Sequence, residues 1–172
     1  MRQVWIEKTG PPEVLRLGEA GDPTPGAGEV RVRVAFAGVN FAEVMARLGL
    51  YPDAPELPFV PGYEVSGTID ALGAGAAGFS PGERVTAVTR FGGYADCVCL
   101  PTALVVRTPD TVSDEQAAAL PVNYLTAHQM LHRVSAVRER ETVLVHGAAG
   151  GVGTAAIQLC AIAGARVIGT SS

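Results

Sequence analysis

Residues 142 to 170 restrict the fold of this chain more than any other segment. Thr142-Val143-Leu144-Val145-His146 reads as a short apolar strand. Gly147-Ala148-Ala149-Gly150-Gly151-Val152-Gly153 follows it directly. An uncharged stretch then runs to about Ala163, and Arg166-Val167-Ile168-Gly169-Thr170 reads as a second strand. Gly147, Gly150 and Gly153 stand three residues apart where the first strand stops and a helix starts. A glycine triplet alone is weak evidence. Between a strand and a helix it predicts the opening βαβ unit of a doubly wound parallel sheet, because a tight strand-to-helix turn favours residues without a Cβ. Such a turn also suits a pyrophosphate. Backbone N–H groups approach it closely, and the helix N-terminus adds roughly half a positive charge. Gly147, Gly150, Gly151, Val152 and Gly153 are therefore the candidate cofactor-binding residues, and a side chain at Gly150 or Gly151 is expected to fill the space a pyrophosphate takes. The alternative is a tight turn with no ligand.

The end of the second strand bears on which dinucleotide is used. An acid there would bind the ribose hydroxyls of NAD. The sequence reads Gly169-Thr170-Ser171-Ser172, with no acid, which favours NADPH.

The uncharged run from Thr142 to Ala165 is long enough to cross a bilayer. The glycine cluster interrupts it, and His146 and Gln158 are polar, so a buried strand–turn–helix is expected and no membrane span. The N-terminus MRQVWIEKTG has no apolar signal core. Three cysteines, Cys97, Cys99 and Cys160, make an odd set without framework spacing. A disulfide-stapled secreted domain is thereby disfavoured, and a cytoplasmic location is expected. Cys97 and Cys99 share one face of a strand and read as packing residues. The formal net charge of −4 with no basic run argues against a nucleic-acid partner.

The preceding part of the chain has a different texture. Twenty-one Gly and 12 Pro imply many turns, most of them before residue 110. Short strands are expected at 2–6, 15–17, 29–36, 63–72 and 94–100, with another that follows the turn at 79–85 and runs through about Val88. In the third, Val30, Val32, Val34 and Phe36 alternate with Arg31 and Arg33. One short helix is expected over 40–48, from the spacing of Phe41, Val44, Met45 and Leu48. Strands with Gly/Pro turns and no βαβ unit predict a closed or partly open antiparallel barrel. Ser113 with Gln116 looks like a capping box, opening a short helix that Pro121 is expected to end. A longer helix is expected from Asn123 to about Val134, with Leu125, Met130 and Leu131 on its apolar side. The expected division is 1–122 for the barrel and 123–172 for the start of the doubly wound domain.

Several segments together resemble the zinc-independent quinone oxidoreductases of the medium-chain dehydrogenase/reductase superfamily. They are AGVNFAEVMARLGLYP at 37–52, PFVPGYEVSGTIDALG at 58–73, PGERV at 81–85, GGYADCVCLP at 92–101, AAALPVNYLTAHQML at 117–131 and VLVHGAAGGVGTAAIQL at 143–159. VNYLTA with VLVHGAAGGVG is most similar to the vesicle amine transport protein-like branch. The resemblance implies a β-rich GroES-like barrel domain followed by the first βαβ of a Rossmann domain. It also implies hydride transfer from NADPH to a quinone or an α,β-unsaturated carbonyl.

Zinc-using relatives carry Cys where this chain has Asn40 in Gly38-Val39-Asn40, and His where it has Tyr63 in Gly62-Tyr63-Glu64. Both replacements remove good zinc donors, so no metal is expected. The resemblance assigns Asn40, Tyr51 and Thr126 to the nicotinamide and substrate cleft. Asn40 would orient the carboxamide or ribose, Tyr51 would offer a hydroxyl donor, and Thr126 a hydroxyl near the nicotinamide. Each has a plainer reading: Asn40 as the N-cap of the helix from Phe41, Tyr51 as a loop anchor among prolines, and Thr126 bonded back one turn to a carbonyl. His128 and His132 lie one helical turn apart with no third ligand in view. Family members run to about twice this length, since a complete Rossmann domain needs on the order of 150 residues. The chain is therefore expected to be an N-terminal half, with negligible turnover alone. A homodimer, or a chain supplying the missing Rossmann half, is the expected partner. The alternative is a fragment without activity that binds nucleotide or docks a partner.

Overall fold

The computed structural model describes residues 1–171. The chain falls into two compact units, Met1–Ala119 and Leu120–Ser172.

The first unit is built on antiparallel strands. β1 (Arg2–Ile6) pairs with β2 (Leu15–Glu19). A five-stranded antiparallel sheet is formed by β3 (Glu29–Ala37), β4 (Glu64–Leu72), β5 (Arg84–Val88), β6 (Cys97–Pro101) and β7 (Val105–Arg107), in the order β6-β3-β4-β5-β7. No pairing joins β6 to β7, so this barrel-like sheet is open. Isolated bridges from Gln3 to Ala95 and from Ile6 to Phe59 attach β1 to the loops around it.

Alternation works as expected in the first half of β3, where Val30 and Val32 are fully buried against Val65, Ile69, Val85, Ala87, Leu100 and Val105. It fails at Phe36, which is exposed. The β3–β4 register shifts between Val34 and Phe36, and such a bulge turns later side chains off the expected face. On the opposite face Arg31 and Arg33 share Asp70, with Nε of Arg31 2.8 Å from Oδ1 and Arg33 2.9 Å from Oδ2. The strand expected over 94–100 begins only at Cys97, and β7 was not foreseen, since three residues with Val106 exposed carry no periodic signal.

Helix α1 (Phe41–Arg47) follows β3, and α2 (Asp114–Ala118) follows β7. The Ser113 capping box forms as expected, with Ser113 Oγ accepting from Gln116 N at 3.3 Å and Gln116 Oε1 accepting from Ser113 N at 3.0 Å. Three contacts fasten α2 to the sheet. Ser66 Oγ donates to the Asp114 carbonyl at 2.6 Å, Thr86 Oγ1 to the Ala117 carbonyl at 2.7 Å, and Arg84 pairs with Asp114 at 2.7 Å.

In the second unit, α3 (Pro121–His128) begins with the proline that was expected to end the previous helix. Proline at the first helical position loses nothing, because that N–H has no helical partner. The single helix expected over 123–134 instead passes into a π-helical turn at Gln129–Val134. Ala127 and Leu131, four residues apart, are the buried positions. Leu125 and Met130, expected on the apolar side, are 58% and 52% exposed. They lie on faces that the packed pair does not cover. β8 (Thr142–His146), α4 (Gly151–Ile162) and β9 (Arg166–Thr170) form the expected βαβ unit, with β8 and β9 parallel and in register from Thr142↔Arg166 to His146↔Thr170. Ala127, Leu131, Val145, Ala155, Ala156 and Cys160 are the core of this unit. Cys97, Cys99 and Cys160 are all free thiols.

Candidate functional site

The glycine turn carries the chain from β8 into α4. Gly147 has a φ of +67°, a left-handed conformation that favours glycine. The Gly150 N–H donates back to the Gly147 carbonyl at 2.9 Å, and Gly150 is the extended N-cap of α4. The first helical bond runs from Thr154 N to the Gly150 carbonyl at 2.8 Å. The N–H groups of Gly151, Val152 and Gly153 thus precede the first helical bond, as at any helix start. A Cβ on Gly153 would strike the Gly147 carbonyl and come within 2.8 Å of Ala148 Cα, so Gly153 is needed for packing within the turn. A Cβ on Gly150 would meet only the Gly147 oxygen, at 3.3 Å, and lies otherwise in open space. Gly151 differs from the expectation. A Cβ there would lie 2.5 Å from Asn123 Oδ1 and 2.9 Å from its Cγ, so a side chain at this position meets Asn123 before any ligand. The ends of β8 and β9 are joined by His146 Nδ1 and Thr170 Oγ1 at 2.8 Å and by Ala148 N to the Thr170 carbonyl at 3.0 Å. An exposed glycine turn opening a twelve-residue helix fits a phosphate-bearing cofactor. Ser172, part of the reading in favour of NADPH, lies outside the described residues.

Thr126 lies on the exposed side of α3, next to buried Ala127. The rings of His128 and His132 lie against each other with centroids 4.8 Å apart, tilted by 55°. Among the described residues no group of three or more His, Cys, Asp or Glu gathers as a metal site.

In the first unit Asn40 is the extended N-cap of α1. Its backbone N–H donates to Glu43 Oε2, and its Nδ2 donates to Glu64 Oε1 at 2.8 Å. The other Glu43 oxygen accepts from Tyr63 N at 2.8 Å. Both carboxylates are buried, Glu43 at 5% and Glu64 at 1% exposure. Burial pushes the Glu43 carboxyl above its usual range. The N–H groups of Asn40 and Tyr63 oppose that rise, and the Glu64 charge adds to it. The Tyr63 ring packs against Phe91 at 4.8 Å and edge-on to Tyr51 at 6.0 Å. Burial first, then hydrogen bonding with Tyr51, raises the Tyr63 hydroxyl well above its ordinary value.

Tyr63 thus connects the two residues that the resemblance put forward in this unit. Its backbone shares Glu43 with Asn40, and its ring touches Tyr51. Sequence reasoning overlooked Glu43, Glu64 and Asn123. The Asn40-x-x-Glu43 spacing of a capping box was the one available signal, and nothing local marked Glu64 or Asn123.

Residues 26–110 match the alcohol dehydrogenase GroES-like domain. The chain is 39% identical over 173 residues to human quinone oxidoreductase, covering 99% of this chain and 53% of that protein. The crystal structure of human synaptic vesicle membrane protein VAT-1 homolog-like protein matches with a TM-score of 0.96 at 42% identity, over 100% of this chain and 56% of that one. A mycobacterial protein solved in complex with NADPH matches with a TM-score of 0.92 at 40% identity, over 100% of this chain and 53% of that one. The chain spans about half the length of these relatives. No helix among the described residues is long and apolar enough to cross a membrane.

Proposed function

Because this chain carries an alcohol dehydrogenase GroES-like domain and is a relative of the VAT-1 homologues and quinone oxidoreductases of the medium-chain dehydrogenase/reductase superfamily, we propose that it serves NADPH-dependent reduction of quinones or α,β-unsaturated carbonyls without zinc. The observation that carries this reading is the glycine turn, with its left-handed Gly147 and a Gly150 whose Cβ position is almost open. NADPH, when bound, supplies the hydride. The N–H groups of Gly151, Val152 and Gly153 and the positive end of α4 would hold its pyrophosphate, with Gly147 and Gly150 shaping the turn and leaving room for it. Asn40 orients the nicotinamide carboxamide or ribose. The Tyr51 hydroxyl donates to the substrate oxygen as negative charge develops there. The Thr126 hydroxyl would lie near the nicotinamide. The chemistry of the donor set supports zinc independence: the Asn40 amide is engaged with Glu64, and the Tyr63 ring is packed between aromatic neighbours.

The test is NADPH binding followed by fluorescence, for the chain and for Gly150→Val. The variant is expected to bind at least about tenfold more weakly with an unchanged circular dichroism spectrum, as the loss of one or two hydrogen bonds of about 1 kcal/mol requires. Equal affinity with the fold intact would refute the phosphate-binding role.

A second reading rests on Leu144 and Ile168, large apolar side chains of β8 and β9 that are 55% and 46% exposed. The two share one face of the β8–β9 sheet, and each of its two strands has an outer edge at which a further strand can pair. This arrangement favours a role in which a second copy of the chain, or a chain with the remaining strands, completes the sheet. The cytoplasmic setting suggested by three free thiols belongs to the same proposal.

A further inference from the structure

We infer that Glu64 is the positioning residue for Asn40. It holds the amide nitrogen inward, so Asn40 meets a ligand only as a hydrogen-bond acceptor, through the lone pair of Oδ1 that the capping-box N–H of Glu43 leaves open. This deepens the proposed function and rests on it for the identity of the ligand. Nδ2 of Asn40 donates to Glu64 Oε1 at 2.8 Å, and Glu64 is 1% exposed. Oε1 is the acceptor of this bond, so the nitrogen end of the amide faces Glu64. A buried hydrogen bond is costly to break, because it leaves a polar group without its partner. The oxygen end of the Asn40 side chain faces the Glu43 N–H in the capping box of α1. The backbone of Asn40 is fixed separately, by its N–H to Glu43 and by the Glu43 N–H to the Asn40 carbonyl at 3.2 Å.

Gly38 makes the arrangement possible. Its N–H donates to the Glu64 carbonyl at 3.1 Å, and a Cβ on Gly38 would lie 2.5 Å from Glu64 Cγ and 2.7 Å from Cδ. The Glu64 side chain crosses the backbone where any other residue would block it. The consequence for chemistry is a division of labour. Asn40 can take an N–H or O–H from the nicotinamide end of the cofactor but cannot donate to a developing oxyanion. That donation falls to Tyr51 or to solvent.

The experiment combines spectra and binding on the 172-residue chain, as wild type, Glu64→Gln and Gly38→Ala. In the wild type one Asn40 side-chain N–H should be shifted downfield and exchange with solvent at least about tenfold more slowly than a free asparagine amide. It should stay so when NADPH is added. Glu64→Gln offers both a donor and an acceptor, so the amide loses that protection. NADPH affinity should fall about tenfold, the effect of one hydrogen bond. The affinity for 2′,5′-ADP, which lacks the nicotinamide end, should not change. Gly38→Ala keeps both functional side chains and should reproduce the spectral change. An Asn40 amide that exchanges freely in the wild type, or that moves strongly when NADPH binds, overturns the inference. So does a Glu64→Gln chain that binds NADPH as tightly as the wild type. If neither ligand binds the wild type, the proposed function fails, and the amide spectra alone still decide whether Glu64 holds Asn40.

Discussion

Replacing Gly151 by alanine puts a methyl group 2.5 Å from Asn123 Oδ1, 2.9 Å from its Cγ and 3.0 Å from its Nδ2. Contacts that short cannot persist, so the Asn123 side chain must move. Forcing extra volume into a packed site costs about 1–3 kcal/mol. Alanine in place of glycine in a helix returns about 0.5–1 kcal/mol. The expected balance is a destabilisation of about 1 kcal/mol. Removing the obstacle should reverse the sign. In an Asn123→Ala background, Gly151→Ala should stabilise by about 0.5–1 kcal/mol. The coupling between the two positions is then about 2 kcal/mol, within the range for residues in direct contact. Urea unfolding of the four proteins by far-ultraviolet circular dichroism measures it. Hydrogen exchange of the α4 amides assigns the change to the second unit. Equal effects of Gly151→Ala in both backgrounds would refute the reasoning. Gly151 would then be a glycine for some other reason, such as direct approach to a ligand.

Two further outcomes test the first unit. A Cβ on Gly67 in β4 would overlap the Arg33 carbonyl and sit 2.9 Å from its carbon, so Gly67→Ala should cost about 3 kcal/mol, or prevent folding. A midpoint in urea within error of the wild type would contradict that packing. Asp70 is held below its usual carboxylate pKa, chiefly by the hydrogen bond from Arg31 and also by Arg33. A depressed folded pKa contributes stability above the unfolded value of about 4, which is lost as the pH falls through the folded value. Asp70→Asn should therefore lower stability by about 2 kcal/mol near neutral pH and by little at pH 2. Melting temperatures that fall equally at both pH values would rule out this ion pair as the cause.

The sequence by itself determined the elements whose signals are local. Gly147, Gly150 and Gly153 between an apolar strand and an uncharged helix specify β8, the turn and α4, since each requirement is met by neighbours a few residues apart. Ser113 and Gln116 specify a capping box in the same way. Val30 and Val32 specify a buried face because strand alternation has a period of two. The resemblance picked out Asn40, Tyr51 and Thr126 but did not say which groups hold them. The tertiary structure decided what depends on distant residues. The bulge opposite Ser66 turned Phe36 outward, though the alternation of β3 is unbroken in sequence. Pro121 serves as the start of α3 rather than as a stop, because either role is compatible with its missing N–H. Glu64 lies 24 residues from Asn40, and its carboxylate reaches Asn40 across Gly38 only because β3 and β4 pair. Asn123 covers Gly151 from a helix 28 residues away. No periodicity or spacing encodes such contacts. A buried carboxylate is costly unless hydrogen bonds compensate it, and only the folded chain brings those partners together.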